Sequence, residues 1–355
     1  MQPHPKKPFL LLKCAFLSLL VILFSGLISS VNAQGEHATD SSGTIAEHKD
    51  AFKVSEVIIE HVLDNHMWHF FDGHYGTLFL PVIVYSSERG IDIFSSRNFY
   101  NEHHQAVEYI GYKLDHHKIY LEGNPVLDFS ITKNVTMLFI NATLLFILLT
   151  SVARSFKKNT GKAPKGIQSF IEPIVLFVKD EIVKPNIGPK YEQYLPYLLT
   201  LFFFVLFGNI LGLLPGAANL TGNIAVTLTL ALASFLITNI SGNKNYWKHI
   251  FWTPGVPLPL RLIILPVEII GIFTKPFSLT IRLFAAITAG HIVLLSLVCL
   301  TFIFHSWLVG IGASVFVLFI NLIELLVAGI QAYVFTLFTS LYIGLAVEEP
   351  SEGHH

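Results

Sequence analysis

The chain has 355 residues, of which 52% are hydrophobic and only 13% are charged. That balance suits a protein that crosses a membrane several times better than a water-soluble one. The formal net charge of -1 excludes the strongly basic class of nucleic-acid-binding proteins. The two cysteines, Cys14 and Cys299, are too few for a disulfide framework or a multi-thiolate metal site.

The start of the chain has the pattern of a secretory signal peptide. Three lysines precede an apolar stretch from Ala15 to Ile28, and Val31-Asn32-Ala33 supplies small residues at a cleavage site. We therefore predict a signal peptide over residues 1–33. An uncleaved anchor is the alternative, although the apolar core is short for a spanning helix. In both cases the following segment starts outside the cytoplasm.

Residues 34–130 are polar and rich in histidine. Short β-branched and aromatic runs such as Leu78 to Tyr85, with turn signals such as Glu88-Arg89-Gly90, predict a small exported domain with some β structure. The histidines fit either a metal site or a solvated polar surface, and no ligand spacing among them favours the metal. They include His66, His69, His74, His103, His104, His116 and His117.

From Val135 onward, long apolar segments alternate with short polar breaks, and each segment has at least roughly the 20 residues that cross a bilayer as a helix. The predicted spans are 135–153, 194–214, 222–240, 262–303 and 308–346. Basic residues follow the first span and belong on the cytoplasmic side by the positive-inside rule. They are Arg154, Lys157, Lys158, Lys162 and Lys165. The segment 167–183 alternates apolar and charged residues, which predicts an amphipathic helix along the cytoplasmic interface.

These elements predict an all-α polytopic membrane protein with about five transmembrane helices, plus a small exported N-terminal domain with some β content. The transmembrane domain occupies residues 131–349, and a cytoplasmic tail follows over 350–355. The last two apolar regions form a C-terminal helical hairpin, and each arm is longer than one perpendicular crossing. We therefore expect a strong tilt or a break, with Pro276 as the place for a break.

Ionisable residues are rare in this hairpin. They are Glu268, Lys275, Arg282, His291 and Glu324, with Gln331 as a polar companion. A charge at membrane depth costs roughly 2.5–3.5 kcal/mol, so such residues usually mark an ion pathway. The structural alternative is a salt bridge between Arg282 and Glu324 that joins two helices.

Helical spacing predicts the face and the position along the helix axis at which each of these residues lies. Glu268 and Arg282 would lie within about 40° of one face and roughly 21 Å apart along the axis. His291 would point about half a circle away from Arg282, whereas Glu324 and Gln331 would share a stripe about 10 Å long. The sequence thus predicts polar side chains at several levels of one hairpin.

Small residues recur beside Arg282, at Ala285, Ala286, Ala289 and Gly290. A smooth helix surface of this kind lets a second helix approach closely. It suits a fixed helix contact and equally suits a partner that moves past it.

Two motifs carry a resemblance to a known family. The run Lys275-Pro276-Phe277-Ser278-Leu279-Thr280-Ile281-Arg282-Leu283-Phe284, followed by Ala289-Gly290-His291, resembles the signature of the a subunit of F-type ATP synthases. The run Gln331-Ala332-Tyr333-Val334-Phe335 is similar to a second motif of that family. The segments 211–215 and 221–225 also resemble it, so the resemblance extends over roughly residues 130–349.

The resemblance implies roles for the hairpin residues. Arg282 would face an essential carboxylate on each c subunit of a rotating ring, and arginine stays protonated at any accessible pH. Glu268 would line the cytoplasmic half-channel, and His291, Glu324 and Gln331 would line the exterior one. Many relatives have glutamate and histidine where this chain has His291 and Glu324, so the pair is exchanged and the two side chains are expected to meet. Many relatives also have asparagine where this chain has Ala286.

The resemblance also implies the setting. The chain would be a non-catalytic ion-translocating subunit without cofactor or metal, assembled in a bacterial inner membrane with the c-subunit ring, the b subunits and the remaining ATP synthase subunits. Its mature N-terminus would be periplasmic and its C-terminus cytoplasmic. Whether the ion is H⁺ or Na⁺ stays open. A stand-alone secondary transporter is the alternative, but no internal repeat supports it. A membrane enzyme that uses histidines as metal or haem ligands is a further alternative. The predicted spans contain His291 but no second histidine, which argues against it.

Overall fold

The computed structural model describes residues 64–69, 77–100, 107–115, 118–158, 166–214, 216–252, 257–304 and 307–348. The predicted signal peptide and the predicted tail at 350–355 lie outside these residues. So do Cys14 and several of the histidines, namely His74, His103, His104, His116 and His117. The predictions that concern them stay predictions.

The N-terminal part is built from short antiparallel strands. They are β1 Met67–His69, β2 Thr77–Phe79, β3 Pro81–Ser86, β4 Gly90–Ser95, β5 Tyr112–Asp115, β6 Lys118–Leu121, β7 Asn124–Pro125 and β8 Leu127–Asp128. They pair as β1-β2, as β4-β3-β8 and as β5-β6-β7. Alternation along β3 places Val82 and Val84 in a small core with Phe99 and Tyr112. The predicted β content is confirmed.

The rest of the described chain is helical. Its α-helices are α1 Lys133–Lys158, α2 Ile167–Phe177, α3 Lys184–Ile187, α4 Tyr191–Gly212, α5 Ile224–Ile240, α6 Lys244–Phe251, α7 Leu258–Phe304 and α8 Trp307–Val347. Four helical stretches are long and apolar enough to cross a membrane, and the pair α5 and α6, bent by 103°, is a fifth candidate. The predicted polytopic helical architecture is confirmed.

Helix α4 occupies the centre of the bundle. Its side chains Leu198, Leu201 and Phe204 are fully buried. The segment 167–183, predicted as an amphipathic helix, is helical from Ile167 to Ile187, through α2, a π-helical turn at Val178–Val183 and helix α3. Helix α3 ends before Gly188, whose φ of 72° is not helical, and a 3-10 turn at Gly188–Lys190 leads into α4. The whole apolar stretch Ile167–Gly212 has 46 residues.

The C-terminal hairpin consists of two unusually long helices. Helix α7 has 47 residues and runs unbroken through Pro266 and Pro276, so the break expected at Pro276 is wrong. A proline removes the one backbone hydrogen bond to the carbonyl four residues before it, which for Pro276 is that of Ile272, and the helix continues on both sides. Thr280 donates its hydroxyl to the carbonyl of Pro276 itself, one turn later. At about 1.5 Å per residue α7 is roughly 70 Å long, more than twice the thickness of a bilayer core.

The hairpin is sparsely covered by the rest of the described chain. Only 17% of the most apolar window is buried in α7, and the same share is buried in α8, against 61% in the stretch that contains α4. A wide apolar surface on both long helices is therefore available to lipid and to other proteins.

The N-terminal domain is joined to the bundle by hydrogen bonds at the start of α1. Asp64 accepts the hydroxyl of Thr132 at 2.7 Å and the backbone N–H of Asn134 at 3.1 Å. The side chain of Asp64 thus caps α1, although it lies 70 residues before Asn134. Trp68 donates its indole N–H to the carbonyl of Gly216, in the loop that follows α4, at 2.6 Å.

Candidate functional site

Three charged residues follow one another at seven-residue intervals along α7. They are Glu268, Lys275 and Arg282, and this spacing keeps them near one face of the helix at intervals of about 10 Å. Each has a different neighbour. Glu268 faces His249 of α6, the ammonium of Lys275 lies 5.3 Å from the ring centroid of Tyr342, and the guanidinium of Arg282 lies 4.3 Å from that of Phe338.

Arg282 contacts an aromatic ring and no acid. Its Cζ lies over the face of Phe338, a cation–π contact, while the side chain is only half-buried. Among the described residues Arg282 forms no ion pair. The alternative of a salt bridge between Arg282 and Glu324 is therefore wrong, and a permanent positive charge inside the hairpin is left without an anion from the described chain.

Glu324 is buried on α8 with 8% of its surface exposed. Neither carboxylate oxygen has a hydrogen-bond partner among the described residues. The carboxylate lies against Gly290 of α7, where an added Cβ would be 2.5 Å from Oε1. Burying an acid without a donor is costly when the acid is ionised, and a proton on the carboxyl group or a bound water would remove that cost.

His291 follows Gly290 directly, so the hairpin brings the predicted acid and imidazole into the same region. They do not form a direct hydrogen bond, because both oxygens of Glu324 lack a partner. Gln331 lies two turns further along α8 and is half-buried. The three predicted residues thus lie along one part of the hairpin, with Glu324 the most enclosed.

Buried polar groups continue from this region toward the loop after α4. Asn209 donates its side-chain amide to the carbonyl of Ala328, one turn from Glu324, at 3.2 Å. The hydroxyl of Thr221 donates to Oδ1 of Asn209 at 2.6 Å. Both side chains are almost fully buried. Neither residue was among the predicted site residues, because only the polar and ionisable groups of the hairpin pointed to the site. The available signal was an asparagine within the apolar run of α4.

The small residues beside Arg282 divide into two pairs. Ala285 and Ala289 are exposed, whereas Ala286 and Gly290 are half-buried, the latter against Glu324. Helical geometry explains the division, because positions one residue apart are rotated by about 100°. The four positions thus do not form one uncovered surface.

At the Glu268 end of the charged stripe, the row formed by Glu268, Lys275 and Arg282, the carboxylate of Glu268 lies 3.9 Å from Nδ1 of His249. A cavity of about 10 Å³, close to the volume that one water needs, lies nearby between α5, α7 and α8. Its lining includes Ser234, Lys275 and Tyr342. His249 was not among the predicted site residues, because it belongs to a short polar helix outside the hairpin.

The described residues hold no cluster of three or more histidine, cysteine or acidic side chains arranged for a metal ion. His66 is buried and shares a 2.8 Å hydrogen bond with Asp128, which ties β8 to the residue that precedes β1. Among the described residues, Cys299 on α7 is a buried thiol without a disulfide partner.

Comparison with known proteins identifies the family of this chain. The model of the ATP synthase A chain matches residues 135–344, and that of a domain of unknown function matches residues 57–136. The chain is 48% identical to ATP synthase subunit a 2 of Chlorobaculum tepidum over 236 residues, which cover 64% of the chain and 66% of that relative. It is 38% identical to ATP synthase subunit a 2 of Chlorobium luteolum over 96% of both chains.

A further relative, ATP synthase subunit a of Chlorobium phaeobacteroides, is 38% identical over 98% of the chain and 92% of its own length. The family match covers more than half of the chain, and two relatives align along nearly all of it. A stand-alone secondary transporter is therefore not favoured. The chain belongs to the ATP synthase A chain family, the non-catalytic membrane subunits that form the proton channel of the F-type ATP synthase.

Proposed function

We propose that this chain passes protons to and from the carboxylates of a rotating ring of c subunits through two half-channels, with Arg282 as the fixed charge between them. One observation carries the proposal. Arg282 has no acidic partner among the described residues, and acids lie on both sides of it along the hairpin. Glu268 is about 21 Å away in one direction, and Gly290, against which Glu324 packs, is about 12 Å away in the other.

The outer half-channel would use Glu324, His291 and Gln331, with Asn209 and Thr221 at its buried edge. The burial of Glu324 without a donor supports this role, because such a group needs a proton or water. Imidazole titrates near neutral pH and suits proton delivery. From this region the proton would neutralise a ring carboxylate.

Arg282 would then make each arriving ring acid release its proton. Arginine fits this task because it remains charged at any accessible pH and cannot relay a proton itself, which prevents a direct leak between the half-channels. The proton would leave past Glu268. The exposed alanines Ala285 and Ala289 would leave room for the ring to pass beside Arg282. Ala286 and Gly290 would form the side of α7 that faces α8. The membrane voltage supplies about 2.3 kcal/mol per charge for each 100 mV.

We also propose the setting that the family implies: assembly with the c-ring, the b subunits and the remaining ATP synthase subunits in a bacterial inner membrane. In this arrangement residues 1–33 are a signal peptide, 34–130 an exported domain, 131–349 the membrane domain and 350–355 a cytoplasmic tail. The mature N-terminus lies in the periplasm. The basic cluster after α1 supports this orientation by the positive-inside rule.

Replacing Arg282 tests the proposal. Arg282→Ala is expected to abolish ATP synthesis in energised membrane vesicles while the complex still assembles, which co-purification of the ring and the ATPase subunits checks. Arg154→Ala removes an exposed arginine from α1 and serves as the matched control. ATP synthesis at the rate of the control in Arg282→Ala vesicles would contradict the proposal. Sodium dependence of the ATPase activity in the same preparation would show whether the ion is Na⁺ instead.

A further inference from the structure

The short helix α6 lies across the end of the bundle at which α8 finishes. It is bent by 103° from α5, and the bend depends on Gly242. A Cβ at Gly242 would lie 2.7 Å from Cδ1 of Tyr246 and 3.2 Å from the carbonyl oxygen of Asn239. Asn243 then donates its backbone N–H to the carbonyl of Ala346 and its side-chain amide to that of Val347. The position of α6 relative to α7 and α8 is thereby fixed.

Helix α6 places the imidazole of His249 beside Glu268, at one end of the charged stripe. Nδ1 of His249 lies 3.9 Å from Oε1 of Glu268, and the two side chains are 61% and 39% exposed. Tyr246 of α6 and Lys275 of α7 are close enough to Glu268 to interact with its charge. Tyr342 of α8 lies beside Lys275, and the exposed Lys244 and Lys248 complete the ionisable groups of α6.

We propose that His249 is a proton relay between Glu268 and the aqueous phase at this end of the bundle. The proposal rests on the proposed function, since it gives the exit half-channel its last protein group. During synthesis a protonated Glu268 transfers its proton to neutral His249, which leaves a carboxylate and an imidazolium. The imidazolium then gives that proton to bulk water and returns to neutral imidazole. In the direction of ATP hydrolysis both transfers reverse.

The geometry fits a relay better than a structural ion pair. At 3.9 Å the two groups are beyond direct hydrogen-bond distance, and one intervening water or a side-chain rotation closes the gap. An exposed pair of this kind adds little to stability. Imidazole is the side chain that both takes up and releases a proton near neutral pH, whereas a lysine at the same place would hold its proton.

The test is His249→Gln in the assembled complex, with Lys248→Ala on the same helix as the control. We expect ATP-driven proton pumping in inverted vesicles to fall about 10-fold in His249→Gln, less than the roughly 100-fold that a lost general base usually costs, because water can partly replace the imidazole. Added imidazole is expected to restore most of the rate, since the position is open to solvent. His249→Lys keeps a cation but is expected to stay slow.

Two results would overturn the relay: an unchanged rate in His249→Gln, or a lowered rate that imidazole does not restore, which would indicate a structural role. Arg282→Ala measured in parallel separates the two levels of inference. If Arg282→Ala abolishes pumping and His249→Gln does not slow it, only the relay fails. If Arg282→Ala pumps at the rate of the unmodified complex, the proposed function itself fails.

Discussion

The carboxylate of Glu324 on α8 occupies the place where a side chain at position 290 of α7 would begin. A Cβ on Gly290 would lie 2.5 Å from Oε1 and 3.2 Å from Cγ and Cδ of Glu324. The absence of a side chain at Gly290 therefore determines where the buried acid can lie. Because Glu324 has no donor among the described residues, no hydrogen bond from them holds its carboxylate in that position.

Gly290→Ala is expected to displace the carboxylate without unfolding the hairpin. The closest atoms belong to the far end of a flexible side chain, and alanine is favoured over glycine in a helix by about 0.5–1 kcal/mol. A shift of about 1 Å at a reacting group can reduce a rate about 100-fold, so ATP synthesis should fall by one to two orders of magnitude. Gly271→Ala on the same helix has open space around it and is the control. Equal synthesis rates in the two variants would refute the assigned role of Gly290.

The acid Glu324 and the imidazole of His291, which the hairpin brings into one region, give a second prediction. His291→Glu and Glu324→His are each expected to lower ATP synthesis, because each leaves two like groups in one region of the hairpin. The double variant restores the pair in the opposite order and should recover part of the loss. The rates of the unmodified protein, the two single variants and the double variant form a double-mutant cycle. For coupled residues, the free-energy effects of the single substitutions typically depart from additivity by about 0.5–3 kcal/mol. Strict additivity would mean that the two side chains act independently.

The cap on α1 predicts different effects for two substitutions of Asp64. Asp64→Asn keeps a side-chain oxygen for the N–H of Asn134 and should leave the start of α1 intact. Asp64→Ala removes that acceptor, and the loss of an N-cap typically costs about 1 kcal/mol. Hydrogen exchange of the amides at the first turn of α1, measured in the intact complex, should accelerate only in the alanine variant. Faster exchange in both variants would mean that the charge of Asp64 or its second acceptor oxygen, which bonds Thr132, is also needed to hold the helix.

The pair of His66 and Asp128 predicts how the N-terminal domain responds to acid. Burial by itself would raise the pKa of Asp128, but the hydrogen bond and charge of His66, with hydrogen bonds from Ser130, outweigh it and lower that pKa overall. A lowered carboxyl pKa stabilises the fold above the ordinary value of about 4, and this contribution is lost as the pH falls through the folded value. Hydrogen exchange in β8 should therefore stay slow down to about pH 4 and accelerate below it. In Asp128→Asn the acid-dependent step should be absent; an identical step in that variant would assign it to another group.

Much of the helical architecture could be predicted from hydropathy. The first span, predicted at 135–153, lies within α1, and the hairpin arms were located to within a few residues. Such long apolar runs leave little choice of structure, since every backbone group in a membrane has to be bonded within its own helix. The prediction failed at Pro276, because a single lost hydrogen bond did not interrupt a helix supported on both sides.

The contacts of the site were less predictable. Helical spacing predicted that Glu268 and Arg282 share one face, and the two residues do belong to one continuous helix, α7. The packing of Glu324 on Gly290 depends on how far α8 slides along α7, and apolar hairpins carry no local signal for that offset. The approach of His249 to Glu268 depends on the direction of the bend at Gly242. Both contacts join residues far apart in the chain, so periodicity within one segment could not reveal them.

Asp64 accepts a hydrogen bond from the first turn of α1, yet it precedes Asn134 by 70 residues and so leaves the ribosome before that helix does. The strands between the two pair with one another, and the folded N-terminal domain holds Asp64 at the start of α1. The first spanning helix therefore depends on the folded N-terminal domain for its terminal hydrogen bonds. A chain whose strands fail to pair would enter assembly with that helix end open to exchange and unravelling.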